Sequence, residues 1–450
     1  MSLTPSSTPA DVRHAAASHK AAVRLLPILC LIYFMAFIDR TNVGLAKTSL
    51  EADVGIGAAA YGLGAGIFFI SYALLEVPSN LVMHRVGPRA WITRIALTWG
   101  ALCACMMFVQ GPTSFYVVRF LLGAAEAGLF PALMYVVTLW FAQSQRASVV
   151  GVIYLAPCAA MILGNPFGGA LMELGGSRGL FGWQWMFLVE GLLTIVVAFV
   201  VWFGLPNRPT DARWLDSDEA RLLSERAAVH STAGHTTLRG NIRVAFARPF
   251  IIALAIVYLV NQFSSVAIQY NFPSIVESID VEGSFMIGLI SGSVGIGALG
   301  GVLFIPWLQR QLRNEVLVIT ICSAATALTA VMYALSSNEA VRLGLIVVAM
   351  FFLIGILPIY WSLAMAHMSG LMAAAGLAFI NTIGLLGGFA GPYLYGAVEA
   401  GAGGDAAVFV LLVGFSVLGV LLIPWLAHTV RRESHSSAGD QSMTPSGRGR

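Results

Sequence analysis

Four ionisable side chains sit in apolar runs where charge is costly. Asp39 and Arg40 are adjacent in Phe37-Ile38-Asp39-Arg40-Thr41-Asn42, and Arg119 and Glu126 stand seven residues apart in a later run. Seven residues is about two helical turns, so Arg119 and Glu126 share one helical face. A charge near the centre of a bilayer costs at least about 2.5–3.5 kcal/mol on insertion scales and marks an ion path or a pair. A mid-depth carboxylate such as Glu126 either pairs with a cation or carries a proton. Burial and a neighbouring arginine act on that proton in opposite senses, which suits a group that takes up and releases protons. The bland readings are an interfacial pair for Asp39–Arg40 and snorkelling to the headgroups for Arg119; Glu126 has no comparably simple one.

The other intramembrane polar residues are weaker signals. Tyr72 and Glu76, Asn165, Glu190, the set Asn261, Gln262, Gln269, Tyr270 and Asn271, and Trp361 and Asn381 fall in later runs. An Asn or Gln there is often interhelical glue worth about 0.6 kcal/mol. Glu76 and Glu190 read as helix–helix or loop contacts, and His367 as interfacial. The eight histidines (14, 19, 84, 230, 235, 367, 428 and 435) are scattered, so no metal or cofactor is expected. The five cysteines fall in apolar runs without metal-ligand spacing, and Cys103 and Cys105 read as small packing residues.

The elements that must position these groups follow from composition. Of 450 residues, 58% are hydrophobic and 10% charged, against about 25% charged in soluble domains. Most of the surface must face lipid. A spanning helix needs about 20 apolar residues, and the chain offers twelve such runs: 24–46, 60–82, 90–109, 113–138, 147–172, 183–204, 249–271, 284–308, 315–335, 341–366, 370–397 and 405–428. The expected organisation is a cytoplasmic tail 1–23, a six-helix bundle 24–204, a cytoplasmic loop 205–248, a second six-helix bundle 249–428 and a disordered tail 429–450. No removable signal peptide is expected. Arg and Lys cluster before the first run, after the second, fourth, eighth and twelfth, and in 205–248, while the opposite loops are acidic. By the positive-inside rule both termini are cytoplasmic. The net charge of +3 and the lack of a basic cluster exclude nucleic acid as a partner. Gly164 to Ala170 in the fifth run and Gly387 to Tyr393 in the eleventh are Gly/Pro-rich counterparts, a mark of transporters built from repeats.

Several segments together resemble the major facilitator superfamily and, within it, the anion:cation symporter family. They are Asp39 to Gly44, Glu76 to Leu81 running into His84 to Arg89, Arg119 to Gly123 with Glu126-Ala127-Gly128 and Phe130-Pro131-Ala132, Gly182 to Phe187 with Glu190-Gly191, Leu205 to Pro209, and Asn381 with Gly387 to Tyr393. That family includes bacterial carriers of tartrate, phthalate, 4-hydroxyphenylacetate and sugar acids and, more distantly, vesicular glutamate transporters and sialin. The resemblance implies an all-α fold of twelve transmembrane helices in two six-helix pseudo-symmetric bundles. It implies that Arg40 contacts the substrate carboxylate, that Asp39 and Glu126 take part in proton coupling, and that Arg119 organises Glu126. Tyr72 and Asn381 match positions lining the anion site; Trp361 and Gln269 are added as substrate-binding candidates. Phe37 and the apolar Ala156 to Ala160 depart from the sugar-acid carriers, which have a tyrosine and a glutamine there. Fewer hydroxyl partners suggest an aromatic or short aliphatic carboxylate.

The expected function is proton-coupled uptake of a small organic carboxylate anion by alternating access, in a monomer in the bacterial inner membrane. A proton-antiport efflux carrier of the same fold is the alternative. A membrane enzyme lacks a His/Asp or metal cluster, and a sensor lacks a soluble output domain.

Overall fold

A computed structural model describes residues 9–228, 248–368, 370–401 and 404–431. The expected tail beyond residue 431 and the latter part of the 205–248 loop lie outside the described residues.

Twelve helices are long and apolar enough to cross a membrane. In chain order these spans are Asp11–Leu45, Ala58–Val86, Pro88–Phe108, Pro112–Trp140, Gln143–Met172, Gly182–Gly204, Pro249–Glu277, Ser284–Leu312, Glu315–Leu335, Glu339–Ala366, Gly376–Glu399 and Val410–Arg431. The first helix already starts at Pro9, well ahead of the apolar run from residue 24. No strand occurs among the described residues.

Four spans are interrupted ahead of a proline. In the fourth, helix Pro112–Glu126 ends and helix Leu129–Trp140 begins, with Ala127 extended and Gly128 left-handed at φ 89°. Pro131 has no N–H and its ring crowds the carbonyl four residues back, at Ala127. Gly128 supplies the positive φ that a side chain would resist. The fifth span is interrupted for one residue at Tyr154, ahead of Pro157, the tenth at Ile356, ahead of Pro358, and the twelfth at Leu422, ahead of Pro424, with Tyr154 and Ile356 keeping helical φ and ψ. Pro166 and Pro392, in the paired Gly/Pro stretches, lie instead inside continuous helices. Glycines of those stretches serve close approach: a Cβ on Gly168 would stand 2.6 Å from the Asn42 amide nitrogen, and one on Gly387 2.1 Å from the Leu259 carbonyl.

By internal contacts the chain forms two compact units, Met1–Thr232 with Phe272–Gly295, and Ala233–Asn271 with Ile296–Arg450. In the first, the third and sixth spans cross backbone to backbone. A Cβ on Gly191 would lie 2.5 Å from the Gly100 carbonyl oxygen. The second and fourth spans meet at Gly123, where a Cβ would stand 2.2 Å from the Phe68 carbonyl oxygen. These crossings bring side chains of the first, second, third, fourth and sixth spans into one interior.

The first unit also carries a short helix, Ser217–Ala228. Asp216 and Glu219 cap it reciprocally: Asp216 Oδ1 accepts from Glu219 N at 2.7 Å, and Glu219 Oε2 from Asp216 N at 3.2 Å. Its partner, which the sequence left open, is the early part of the first helix. Lys20 pairs with Glu219, and Arg226 with Asp11 at 2.5 Å. Arg24 lies 4.8 Å over the Trp214 ring, which stacks on Trp140.

Candidate functional site

The interior of the first unit gathers five charged side chains. Asp39, Arg119, Glu126 and Glu190 are all buried, and Arg40 retains 17% side-chain exposure. Asp39 and Arg40 are consecutive in the first span, Arg119 and Glu126 come from the fourth, and Glu190 from the sixth. The break at Ala127–Gly128 makes Glu126 the last residue of its half-helix.

Arg40 Nη2 donates to Glu126 Oε1 in a direct ion pair. Its guanidinium carbon also lies 5.1 Å from the Phe37 ring centroid and 5.3 Å from those of Phe68 and Tyr72. An aromatic collar thus holds the cation while leaving its edge for acceptors. Arg40 Nε and Glu126 Oε2 are buried without a hydrogen-bond partner.

Arg119 of the fourth span lies against the second span. Its Nε and Nη2 point at the Gly64 and Ala65 carbonyls of the second span, at 3.4 and 3.5 Å, and its guanidinium lies 4.8 Å over Phe68. Its positive charge acts on both Asp39 and Glu126. Asp39 is further surrounded by Cys103, Trp99 and Arg40. Glu126 is therefore reached across helices by Arg40 of the first span, while Arg119 lies nearer the second span's carbonyls.

Asn42 and Glu190 add a pair that the sequence reading did not join. Asn42 Nδ2 donates to Glu190 Oε1, and both residues are almost fully buried. Two signals were available: Asn42 lies one turn beyond Asp39, on the same face, and Glu190 is a mid-span carboxylate without a local cation.

The remaining candidates belong to the second unit. Trp361 packs edge-on against Tyr258 and Tyr360, with centroids 5.2 and 5.5 Å apart, and Tyr258 stacks on Tyr360 at 5.2 Å. Asn381 and Gln269 are half-buried. Asn381 lies one turn before Gly384, where a Cβ would stand 2.1 Å from the Tyr258 ring. Within this unit Asn261 Nδ2 donates to the Leu353 carbonyl at 3.0 Å, beside an open pocket lined by Tyr258, Asn261, Ser264, Thr326 and Ser416 among others. Among the described residues no group of His, Cys, Asp and Glu could hold a metal.

A family model described as Major Facilitator Superfamily matches residues 29–392. The chain belongs to that superfamily. It is 37% identical to a "Putative tartrate transporter" of Agrobacterium vitis, over 91% of this chain and 94% of the relative. It is 35% identical to a "Quinolone resistance transporter" of Acinetobacter baumannii, over 89% and 92%. Its fold matches the inward-facing, unoccupied crystal structure of a bacterial homolog of the human lysosomal transporter Spinster. The TM-score is 0.74 over 92% of this chain and 98% of the other, at 17% identity. This major facilitator is a multi-pass membrane transporter and not an enzyme, and its spans form the twelve-helix, two-bundle fold of the superfamily.

Proposed function

We propose that this major facilitator takes up a small organic carboxylate together with protons across the bacterial inner membrane, as a monomer with both termini cytoplasmic. The observation that carries the reading is the Arg40–Glu126 ion pair, formed between spans by a cation with a spare donor and a carboxylate at a helix break. A substrate carboxylate and the Glu126 carboxylate compete for one guanidinium. A proton on Glu126 weakens its hold on Arg40 and frees the fork for bidentate contact with the substrate. Proton and anion then favour each other's binding, and by linkage the favour is reciprocal. Asp39, held against Arg119, is the second proton carrier, and Arg119 keeps it positioned. Tyr72 shapes the anion pocket beside Arg40. Trp361, Asn381 and Gln269 contribute the second unit's substrate contacts.

The same residues and the likeness to a tartrate transporter support the substrate class. The aromatic collar and the aromatic cluster at Trp361 suit an aromatic or short aliphatic carboxylate better than a polyhydroxylated one. A proteoliposome uptake screen should start with tartrate and extend to phthalate, hydroxyphenylacetate, benzoate and sugar acids. With the accepted carboxylate, Glu126→Gln should abolish accumulation driven by an inward proton gradient while counterflow exchange persists. Its anion affinity should lose most of the parent's rise at lower pH. Arg40→Lys should weaken anion binding at least tenfold, about 1.4 kcal/mol, because the ammonium offers no bidentate fork. Normal accumulation by Glu126→Gln would falsify the coupling assignment, and unchanged affinity in Arg40→Lys would remove the clamp.

The quinolone-resistance relative supports a second reading, proton-antiport efflux by the same fold. The two readings predict opposite responses to a pH jump. Acid outside loads the vesicle in symport and empties it in antiport.

A further inference from the structure

Besides Glu76, three buried carboxylates, Asp39, Glu126 and Glu190, share the first unit's interior with two guanidiniums, Arg40 and Arg119. Glu126 has Arg40, and Asp39 has Arg119. Glu190 pairs with no cation among the described residues. The groups that face it are Asn42 and Asp39 from the first span and Cys103 from the third. A buried carboxylate with one amide donor and another carboxylate for a neighbour is a costly place for negative charge.

The hydrogen-bond bookkeeping points the same way. Asn42 Nδ2 donates to Glu190 Oε1, which leaves Asn42 Oδ1 and Glu190 Oε2, both acceptors, both buried and both without a partner. An amide and an ionised carboxylate side by side always leave this mismatch, because the carboxylate has no donor to return. One added proton removes it. Placed on Oε2, it converts that oxygen into a donor to Asn42 Oδ1 and closes a cyclic acid–amide pair in which both orphans are satisfied. Gly168 of the fifth span keeps the amide in place, since a Cβ there would collide with it at 2.6 Å. The Gly100–Gly191 crossing brings Glu190 inward from the sixth span.

We propose that Glu190 is a permanently protonated positioning residue, whose acid–amide pair with Asn42 fixes the turn of the first span that presents Asp39 and Arg40. Asn42 stands two residues after Arg40, so a carboxyl on the sixth span anchors the turn that carries the anion clamp. Asp39 is kept from sharing its surroundings with an unpaired negative charge. This inference rests on the transport reading only in calling that turn functional. The pair itself is read without any substrate.

The experiment is infrared spectroscopy of the purified full chain in lipid, in the double variant Asp39→Asn/Glu126→Gln so that those two carboxyls contribute nothing. A protonated-carboxyl stretching band, shifted by deuterium exchange and persisting through neutral pH, is expected. Adding Glu190→Gln should remove it. A band that survives Glu190→Gln unchanged, or no band at all, overturns the proposal. If Glu190→Gln does not fold, Asn42→Leu keeps the carboxyl but deletes its partner, and the band must move to higher frequency. An unmoved band overturns the pairing. In otherwise unaltered protein, Glu190→Gln can form a cyclic amide–amide pair and should keep counterflow near the parent's. Glu190→Leu should lose it by at least about tenfold, the equivalent of leaving one buried polar group unpaired. Equal losses in both would overturn the positioning role. If the carboxyl band behaves as expected while Glu126→Gln still accumulates substrate, the proton-coupling reading fails and the Asn42–Glu190 pair stands.

Discussion

The two units bury polar groups of different kinds. In the first, the buried set includes Asp39, Lys47, Glu76, Arg119, Glu126 and Glu190. In the second, the buried polar side chains among the described residues are all neutral: Ser264, Ser265, Asn271, Thr326, Thr329, Ser416 and Thr429. Both units contain a span broken ahead of a proline, at Ala127–Gly128 and at Ile356. The first break is adjacent to a carboxylate. The second lies three residues beyond Leu353, whose carbonyl takes a neutral amide. The first leaves the helical region of backbone space and the second stays within it. The difference between the units puts the buried charge in the first and leaves the second with neutral buried contacts among the described residues. The first unit is consequently held by balanced charge, and removing one partner there should cost more than any neutral change in the second.

The largest expected effect comes from Arg119. It is fully buried and faces Asp39. Arg119→Leu leaves that carboxylate uncompensated, and breaking a buried pair from one side costs about 3–5 kcal/mol. Thermal unfolding in detergent should show a loss of that order, with part of it recovered by Asp39→Asn in the same chain. A variant as stable as the parent would mean that the first unit's charges are not balancing one another, and the contrast between the units would fall.

This expectation also shows what the sequence could and could not convey. Twelve apolar runs become twelve spans because lipid requires about 20 apolar residues per crossing, a rule that needs no tertiary knowledge. The charged residues stood out for the same reason. Their partners did not, because pairing across helices depends on packing. The seven-residue spacing of Arg119 and Glu126 correctly puts both on a buried face, yet the guanidinium in contact with Glu126 is Arg40, 86 positions away. The Asn42–Glu190 pair spans 148 positions. Glu126-Ala127-Gly128 and Pro131 did carry the signal of a helix break, but the Gly/Pro stretches at 164–170 and 387–393 carried a similar one and stayed helical.

A smaller effect tests the second unit. Asn261→Leu deletes the hydrogen bond to Leu353, worth about 0.5–1.5 kcal/mol, and removes an oxygen that has no partner of its own. Stability should fall by no more than that. Uptake measured over a series of pH values should keep the parent's pH midpoint even if the apparent substrate affinity changes. A moved midpoint would show that the second unit takes part in handling protons, which its neutral interior argues against.

The smallest effect is expected at the short helix Ser217–Ala228, where charge is again paired but close to water. Lys20 is half exposed, and Arg226 and Asp11 are each 41% exposed in their side chains. Ion pairs of this kind contribute about 0–1 kcal/mol each and are screened by salt. Lys20→Ala should therefore lower the unfolding temperature slightly at low ionic strength, and the difference should shrink as salt is added. The same salt series should barely change the deficit of Arg119→Leu, whose charges are shielded from solvent ions by the packed interior. If both deficits fade together with salt, the interior of the first unit is open to water and ions in the resting protein. Arg40 and Glu126 would then meet in a solvated vestibule, and the competition between substrate and Glu126 for one guanidinium would be far weaker than a buried pair implies.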